Sequence, residues 1–208
     1  MPGILGEHTF DYEPYYDQRM SSVLALTAVR AEPRDDAEQV TQLLPGEPVD
    51  VEDARDGWAQ VRTAYGYPGL IRESALGGAA DPAWLEPSAA AEPLEHARAL
   101  LGAPYLWGGM TSAGIDCSGL VHMSFRAAGQ LVPRDADQQE DAGTPVAPDE
   151  LRPGDLVTYG DADRADHIAF WLGGGRILHA TQREGVGGVI EELEPDHLHL
   201  RRRRAFRL

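Results

Sequence analysis

A stretch rich in Gly, Ala and Pro, GGAADPAWLEPSAAAEP at 77–93, splits the sequence into two halves that no single pattern of secondary structure can cover. Upstream, residues 22–76 carry short β-compatible runs separated by turn residues. Val23-Leu24-Ala25-Leu26 and Thr27-Ala28-Val29-Arg30 come first, then the polar loop Ala31 to Asp36. The alternating runs Gln39-Val40-Thr41-Gln42-Leu43, Val49-Asp50-Val51-Glu52 and Trp58-Ala59-Gln60-Val61-Arg62 follow, and a last one begins at Gly66-Tyr67-Pro68-Gly69. Several short strands with turns between them predict a small β-barrel. The expected division is an N-terminal segment at 1–21, a barrel at 22–76, a linker at 77–92 and a second unit at 93–208.

The second unit opens in a different rhythm. Leu94, Ala97, Leu100 and Leu101 recur at helical spacing, with Pro93 suited to the first turn and Gly102 to the stop. A second helix is expected from Cys117 to Ala128, its inner face formed by Leu120, Val121, Ser124 and Phe125. Three apolar runs then read as strands: Leu156 to Tyr159, Ile168 to Leu172, and Ile177 to Ala180, the last two joined at Gly173-Gly174-Gly175. Helices first and strands after predict an α+β unit, with helices packed on an antiparallel sheet.

Charge and composition narrow the functions open to such a chain. The formal net charge is −16, and all 18 basic residues other than histidine are arginine. A surface this acidic repels phosphate backbones and anionic lipid, so neither nucleic acid nor membrane is an expected partner. The exception in charge is Arg201 to Arg204, read as a final strand or tail with exposed arginines. No apolar run is long enough to span a bilayer. The first twenty residues lack a basic segment followed by an apolar one, so a cytoplasmic protein is expected. A monomer is expected as well.

Cys117 is the one cysteine, which rules out an internal disulfide and any multi-cysteine zinc site. A cysteine nucleophile reacts as a thiolate and gains from a helix N-terminus and a nearby imidazole. Cys117 follows Gly114-Ile115-Asp116 at the head of the second helix, where free backbone N–H groups could also hold an oxyanion. His167 opens one strand of the Gly173–Gly175 hairpin and His179 lies on the other. From Gly174 they stand at comparable distances along the two arms, close enough for one ring to take the thiol proton while the other orients it. No metal and no cofactor is required. The remaining histidines, His8, His96, His122, His197 and His199, carry no motif and are read as surface or structural residues.

These residues also sit in recognisable blocks. Gly102-Ala103-Pro104-Tyr105-Leu106-Trp107-Gly108-Gly109 with Gly114-Ile115-Asp116-Cys117-Ser118-Gly119-Leu120, then Leu131 to Gln139, Leu151 to Val157, Asp166 to Gly173 and Ile177 to Ala180, resemble the NlpC/P60 family in order and content. The upstream blocks Leu44 to Val51, Asp56-Gly57-Trp58-Ala59-Gln60-Val61 and Gly66-Tyr67-Pro68-Gly69 resemble a bacterial SH3-like (SH3b) barrel. The resemblance implies a papain-like fold and the triad Cys117, His167 and His179, with Tyr105 donating to the oxyanion.

It also implies a substrate. The combination is similar to γ-D-glutamyl-L-diamino acid endopeptidases that act on murein peptides with a free N-terminal L-alanine, which fits recycling of wall fragments. Such enzymes hold the substrate amine with acceptors. Asp116 and Ser118 beside the nucleophile, and Tyr67 and Glu32 from the barrel, are the expected ones; Ala136 stands where some members carry a serine. Two other readings remain open: an amidase or acyltransferase using the same Cys–His–His set, or an inactive wall-binding protein.

Overall fold

The computed structural model describes residues 21–87 and 92–208. The segment 1–20, with His8, and residues 88–91 of the expected linker lie outside the described residues.

The N-terminal unit consists of β1 (Ser21–Val23), β2 (Thr27–Arg30), β3 (Gln39–Leu43), β4 (Pro48–Arg55), β5 (Trp58–Thr63), β6 (Pro68–Arg72) and β7 (Leu76–Ala79). They form one antiparallel sheet in the order β3-β2-β6-β5-β4-β1-β7. The sheet curls around Val29, Leu43, Val49, Val61 and Ile71, all fully buried. Period-two alternation supplies that interior: in β5, Trp58, Ala59, Val61 and Thr63 are buried while Gln60 and Arg62 face water. Asp56 and Gly57 both have positive φ, 54° and 76°, the two-residue turn that matches strand twist between β4 and β5. The strand β7 lies almost wholly in residues read from sequence as linker. It pairs with β1, Leu76 opposite Val23, and so extends the barrel past residue 76.

The second unit begins with α1 (Pro93–Ala99), a short ribbon of β8 (Met110–Thr111) and β9 (Gly114–Ile115), α2 (Cys117–Ala127) and α3 (Ala136–Ala142). Next come β10 (Thr144–Pro145), β11 (Leu156–Gly160), β12 (Ala165–Gly173), β13 (Arg176–Thr181), β14 (Gly188–Leu193), α4 (Asp196–His199) and β15 (Arg202–Arg207). The strands β10 to β15 make an antiparallel sheet in the order β10-β15-β11-β12-β13-β14. On one face, Leu120, Val121 and Phe125 of α2 pack on Ile168, Phe170 and Leu178, and the Phe125 and Phe170 rings stack at 6.4 Å. The opposite face carries Tyr159, Ile177 and Leu198. The arginine run belongs to an interior strand. Arg202 pairs with Glu194 and Arg203 with Glu140, so both are only partly exposed.

The two units meet along β3 and α2. Arg126 Nη1 donates to Glu47 Oε2 at 2.7 Å, with the side chains 8 % and 0 % exposed. Arg134 Nε donates to Thr41 Oγ1 at 3.0 Å, and Met110 N–H to Gln42 Oε1 at 3.0 Å. The rings of Tyr65 and His122 meet edge to face at 4.5 Å. Gly108 makes this approach possible: its φ is +68°, and a Cβ there would fall 2.5 Å from the carbonyl oxygen of Gln39. The barrel is therefore docked through buried polar groups, and it supplies one wall of the cleft described next.

Candidate active site

The cleft lies between the two units, over the first turn of α2 and the start of β12. Its lining includes Tyr67 and Glu38 from the barrel, Tyr105, Asp116, Cys117 and Ser118 around the helix head, Asp135 and Ala136 before and at the start of α3, and His167 on β12.

Cys117 is the first residue of α2, capped by Asp116, whose Oδ1 accepts from the Gly119 N–H at 2.6 Å. Asp116 does more than cap. Its Oδ2 accepts from the Gly108 N–H at 2.7 Å, and Arg134 grips both oxygens, at 3.0 Å and 2.7 Å. Arg134 also donates to the Ser118 hydroxyl at 2.8 Å. This guanidinium is 1 % exposed. Burial opposes its charge, but Asp116, by charge and by hydrogen bond, together with Tyr65 and Asp135, raises its pKa. The head of α2 is thus fixed by a permanent ion pair. Gly119 is part of the same packing, since a Cβ there would fall 2.4 Å from the Gly109 carbonyl oxygen.

Cys117 is 7 % exposed. Burial, then the charge of Asp116, pushes the Cys117 thiol up to about 12, while backbone hydrogen bonds from Ile168 and Ser118 and the charge of Arg134 pull the other way. A helix N-terminus alone predicts a lowered thiol pKa; here desolvation outweighs it. Burial likewise pushes His167 down to about 3, with His179 and Arg201 adding to the effect. Both shifts favour a neutral thiol beside a neutral imidazole.

The hairpin of β12 and β13 brings the two histidines together: His167 Nε2 and His179 Nδ1 are 2.7 Å apart. That engagement leaves Nδ1 as the His167 nitrogen available to Cys117, whose sulfur is bonded by the next residue along β12, Ile168. His179 is 1 % exposed, and its Nε2 lies 3.0 Å from Glu192 Oε1 on β14. Sequence reasoning did not single out Glu192.

Tyr105 lines the cleft, and burial together with the negative charge that Cys117 and Asp116 would place near it raises its pKa, so the phenol remains a donor. Tyr67 reaches across the domain boundary and donates to Asp135 Oδ2 at 2.9 Å. Asp135 was missed as a site residue; the contact joins positions far apart in sequence, and only its place beside Arg134 hinted at it. Burial raises the Asp135 pKa, against the hydrogen bond from Tyr67 and the charge of Arg134.

Glu32 is not in the cleft. It stands on an exposed turn and pairs with Arg34 at 3.2 Å. The barrel carboxylate that does line the cleft is Glu38, which accepts from Trp107 Nε1 at 2.9 Å. His197, read as a surface residue, is exposed but lies on the far rim with Asp161, Arg164, Asp166 and Arg201. His122 is fully buried.

The family profile described as NlpC/P60 matches residues 102–201, the span that holds Cys117, His167 and His179. Residues 102–201 form an NlpC/P60 domain. A second profile, described as the bacterial dipeptidyl-peptidase SH3 domain, matches residues 29–76. The chain is 35 % identical over 141 residues to the γ-D-glutamyl-L-lysine dipeptidyl-peptidase of Bacillus subtilis, covering 66 % of this chain and 45 % of that protein. It is 39 % identical over 123 residues to the γ-DL-glutamyl hydrolase of the same organism, covering 57 % of this chain and 28 % of that one. The chain therefore spans less than half the length of either relative. An NlpC/P60 family protein from Bacillus cereus shares the fold, with a TM-score of 0.54 over 90 % of this chain and 62 % of that one, at 21 % identity. Among the described residues, no helix is long and apolar enough to cross a membrane.

Proposed function

We propose that this protein is a cysteine peptidase that hydrolyses the bond between γ-D-glutamate and a diamino acid in murein peptides whose N-terminal L-alanine is free. The observation that carries the reading is that Cys117, at the helix head, and His167, engaged by His179, line one cleft. Support for the substrate comes from the barrel side, where Glu38, Asp135 and Asp116 line the same cleft as Tyr67, which donates to Asp135. Three carboxylates beside a phenol suit an ammonium group, and the docked barrel closes that end to a longer chain. Asp116 already accepts from five donors, so Glu38 and Asp135 carry more of this role than Asp116 does, and Ser118 adds a hydroxyl. A glutamyl group stands in the names of both relatives, which agrees with this choice.

The chemistry is acyl transfer to sulfur. As Sγ of Cys117 attacks the γ-carbonyl carbon, its proton passes to Nδ1 of His167 and the carbonyl oxygen takes the negative charge. The Cys117 N–H, one of the groups left without a partner in the first turn, and the Tyr105 hydroxyl stabilise that oxygen. The intermediate collapses, the C–N bond breaks, and His167 returns the proton to the leaving amine. Water then adds to the thioester with His167 as base, releasing L-Ala-γ-D-Glu and the thiol. A free L-alanine amine exists only after the stem peptide has been cut from its glycan, so the reaction belongs after that amide cleavage, as in recycling.

Product analysis on L-Ala-γ-D-Glu-diaminopimelate and its N-acetylated form tests the reading. The expected result is release of L-Ala-γ-D-Glu from the free peptide alone. Equal cleavage of both would reject the ammonium pocket, and no cleavage of either would reject the peptidase.

A further inference from the structure

The histidine pair does not end at His179. Strand β14 pairs with β13 so that His179 faces Ile190, which places Glu192 diagonally across on the same side of the sheet. Its Oε1 lies 3.0 Å from His179 Nε2, and Arg183, just beyond β13, clamps both of its oxygens at 3.0 Å and 2.8 Å. Four side chains are thus linked in sequence, starting from the cleft: His167, His179, Glu192 and Arg183.

We propose that Glu192 is a positioning residue that sets the tautomer of both histidines, so that His167 presents an unprotonated Nδ1 to Cys117. The argument follows from which atoms can carry protons. A carboxylate clamped by a guanidinium only accepts, so His179 must donate from Nε2. A neutral imidazole has one N–H, which leaves His179 Nδ1 as an acceptor. The 2.7 Å contact then requires His167 to donate from Nε2, and its own Nδ1 carries the lone pair. Remove the carboxylate and nothing among the described residues fixes the direction of either proton.

The surrounding charges agree with that state. Burial works against the Glu192 charge, but Arg183 and His179 hold its pKa below the usual carboxylate range. Burial keeps His179 neutral against the pull of Glu192, with Arg183 and His197 acting in the same sense as burial. His167 feels His179, Arg201 and His197 likewise, with Tyr159 of β11 packed on its ring at 5.8 Å. As pH falls and His179 takes a second proton, its Nδ1–H turns toward His167 Nε2 and forces the proton of His167 onto Nδ1, where it blocks the base. The acid limb of the rate profile is therefore set at His179 through Glu192.

This inference rests on the peptidase reading for its consequence in rate, but its structural part can be read without turnover. The experiment is nitrogen NMR of histidine-labelled protein near neutral pH, which distinguishes protonated from unprotonated ring nitrogens, combined with kcat and KM on the free-amine peptide. In the unaltered protein both rings should carry the proton on Nε2. Glu192→Leu should shift His167 toward Nδ1–H and lower kcat about 10²-fold with little change in KM, short of the ~10⁴-fold known for a triad with the wrong tautomer. Glu192→Gln keeps an acceptor oxygen and should restore the tautomers and most of kcat. Should Glu192→Leu not fold, Glu192→Ala, which also removes the acceptor, should move tautomers and kcat the same way. Unchanged tautomers in Glu192→Leu or Glu192→Ala, or equal losses in Glu192→Gln and Glu192→Leu, would overturn the proposal. No peptide cleavage by the unaltered protein, together with the tautomer shift in Glu192→Leu, would instead overturn the peptidase reading and leave this one standing.

Discussion

Two polar networks flank Cys117, and they are built from opposite kinds of group. On the barrel side, Arg134, Asp116, Ser118 and Thr41 form a buried cluster whose guanidinium stays charged at any working pH. On the sheet side, His167, His179 and Glu192 form a line whose rings can gain or lose protons. One network fixes where the sulfur stands. The other can move what the sulfur must lose. A side chain that titrates could not do the first task across a range of pH, and a permanent ion pair could not do the second at all.

The largest expected effect erases the contrast by removing the atom between the networks. Cys117→Ala should lower kcat by more than about 10⁴-fold while the melting temperature stays within a few degrees, because both networks persist without the sulfur. Residual turnover above a hundredth of the unaltered rate, measured by product release, would place the nucleophile elsewhere.

Next comes the fixing network alone. Arg134→Met leaves the Asp116 carboxyl buried and facing only neutral donors, which costs about 3–5 kcal/mol for a broken buried pair. At about 2–4 °C per kcal/mol for a chain of this size, thermal unfolding should shift down by roughly 10 °C. A shift under about 2 °C would mean that Asp116 is solvated or protonated, and that the head of α2 is held by other contacts.

A smaller effect separates titration from fixation within the domain boundary itself. His122 is fully buried against Tyr65, its Nε2 has no partner among the described residues, and burial, with Arg134 and Arg126, pushes it down to about 3. An unfolded histidine titrates near ~6.5, so between about pH 6.5 and 3 the unfolded chain binds a proton that the folded one refuses. Stability should therefore fall as pH drops through that window, by up to ~1.4 kcal/mol per pH unit for this one group. His122→Phe should flatten the dependence of melting temperature on pH there. An unchanged slope would show that His122 is reached by solvent in the folded state.

The two networks also differ in how far they could be read from the sequence. Cys117, His167 and His179 sit in local patterns, a helix head and a glycine hairpin, whose geometry follows from chain direction. Asp135 and Glu192 do not. Asp135 gains its meaning from Tyr67, a partner on another domain. Glu192 belongs to β14, a strand that escaped notice because Glu191 and Glu192 interrupt its apolar run. The arginine strand β15 was ambiguous because arginine reads as surface, yet Glu140 and Glu194 supply partners from distant positions. Likewise β7 was hidden by Gly77 and Gly78, and α3 by a composition with no apolar stripe. Glu32 and Glu38 lie on the same side of the barrel sequence, and only the path of the chain between β2 and β3 decides which one meets the cleft. What was legible depended on neighbours in sequence; what was not depended on neighbours in space.

The smallest expected effect concerns the amine pocket, where the fixing network reaches the proposed substrate. Tyr67→Phe deletes one hydrogen bond to Asp135 and little else. That bond holds the Asp135 carboxylate ionised against burial, so without it the carboxyl pKa rises further and its attraction for an ammonium weakens. Losing a bond of about 1–1.5 kcal/mol corresponds to roughly a tenfold fall in kcat/KM for the free-amine peptide, carried mostly by KM because the contact is remote from the reacting carbonyl. The N-acetylated peptide carries no charge at that end and should stay uncleaved, so KM and kcat for the free-amine peptide are the quantities to measure. A fall in kcat instead would tie Tyr67 to the proton-moving side, and an unchanged KM would remove Asp135 from the pocket.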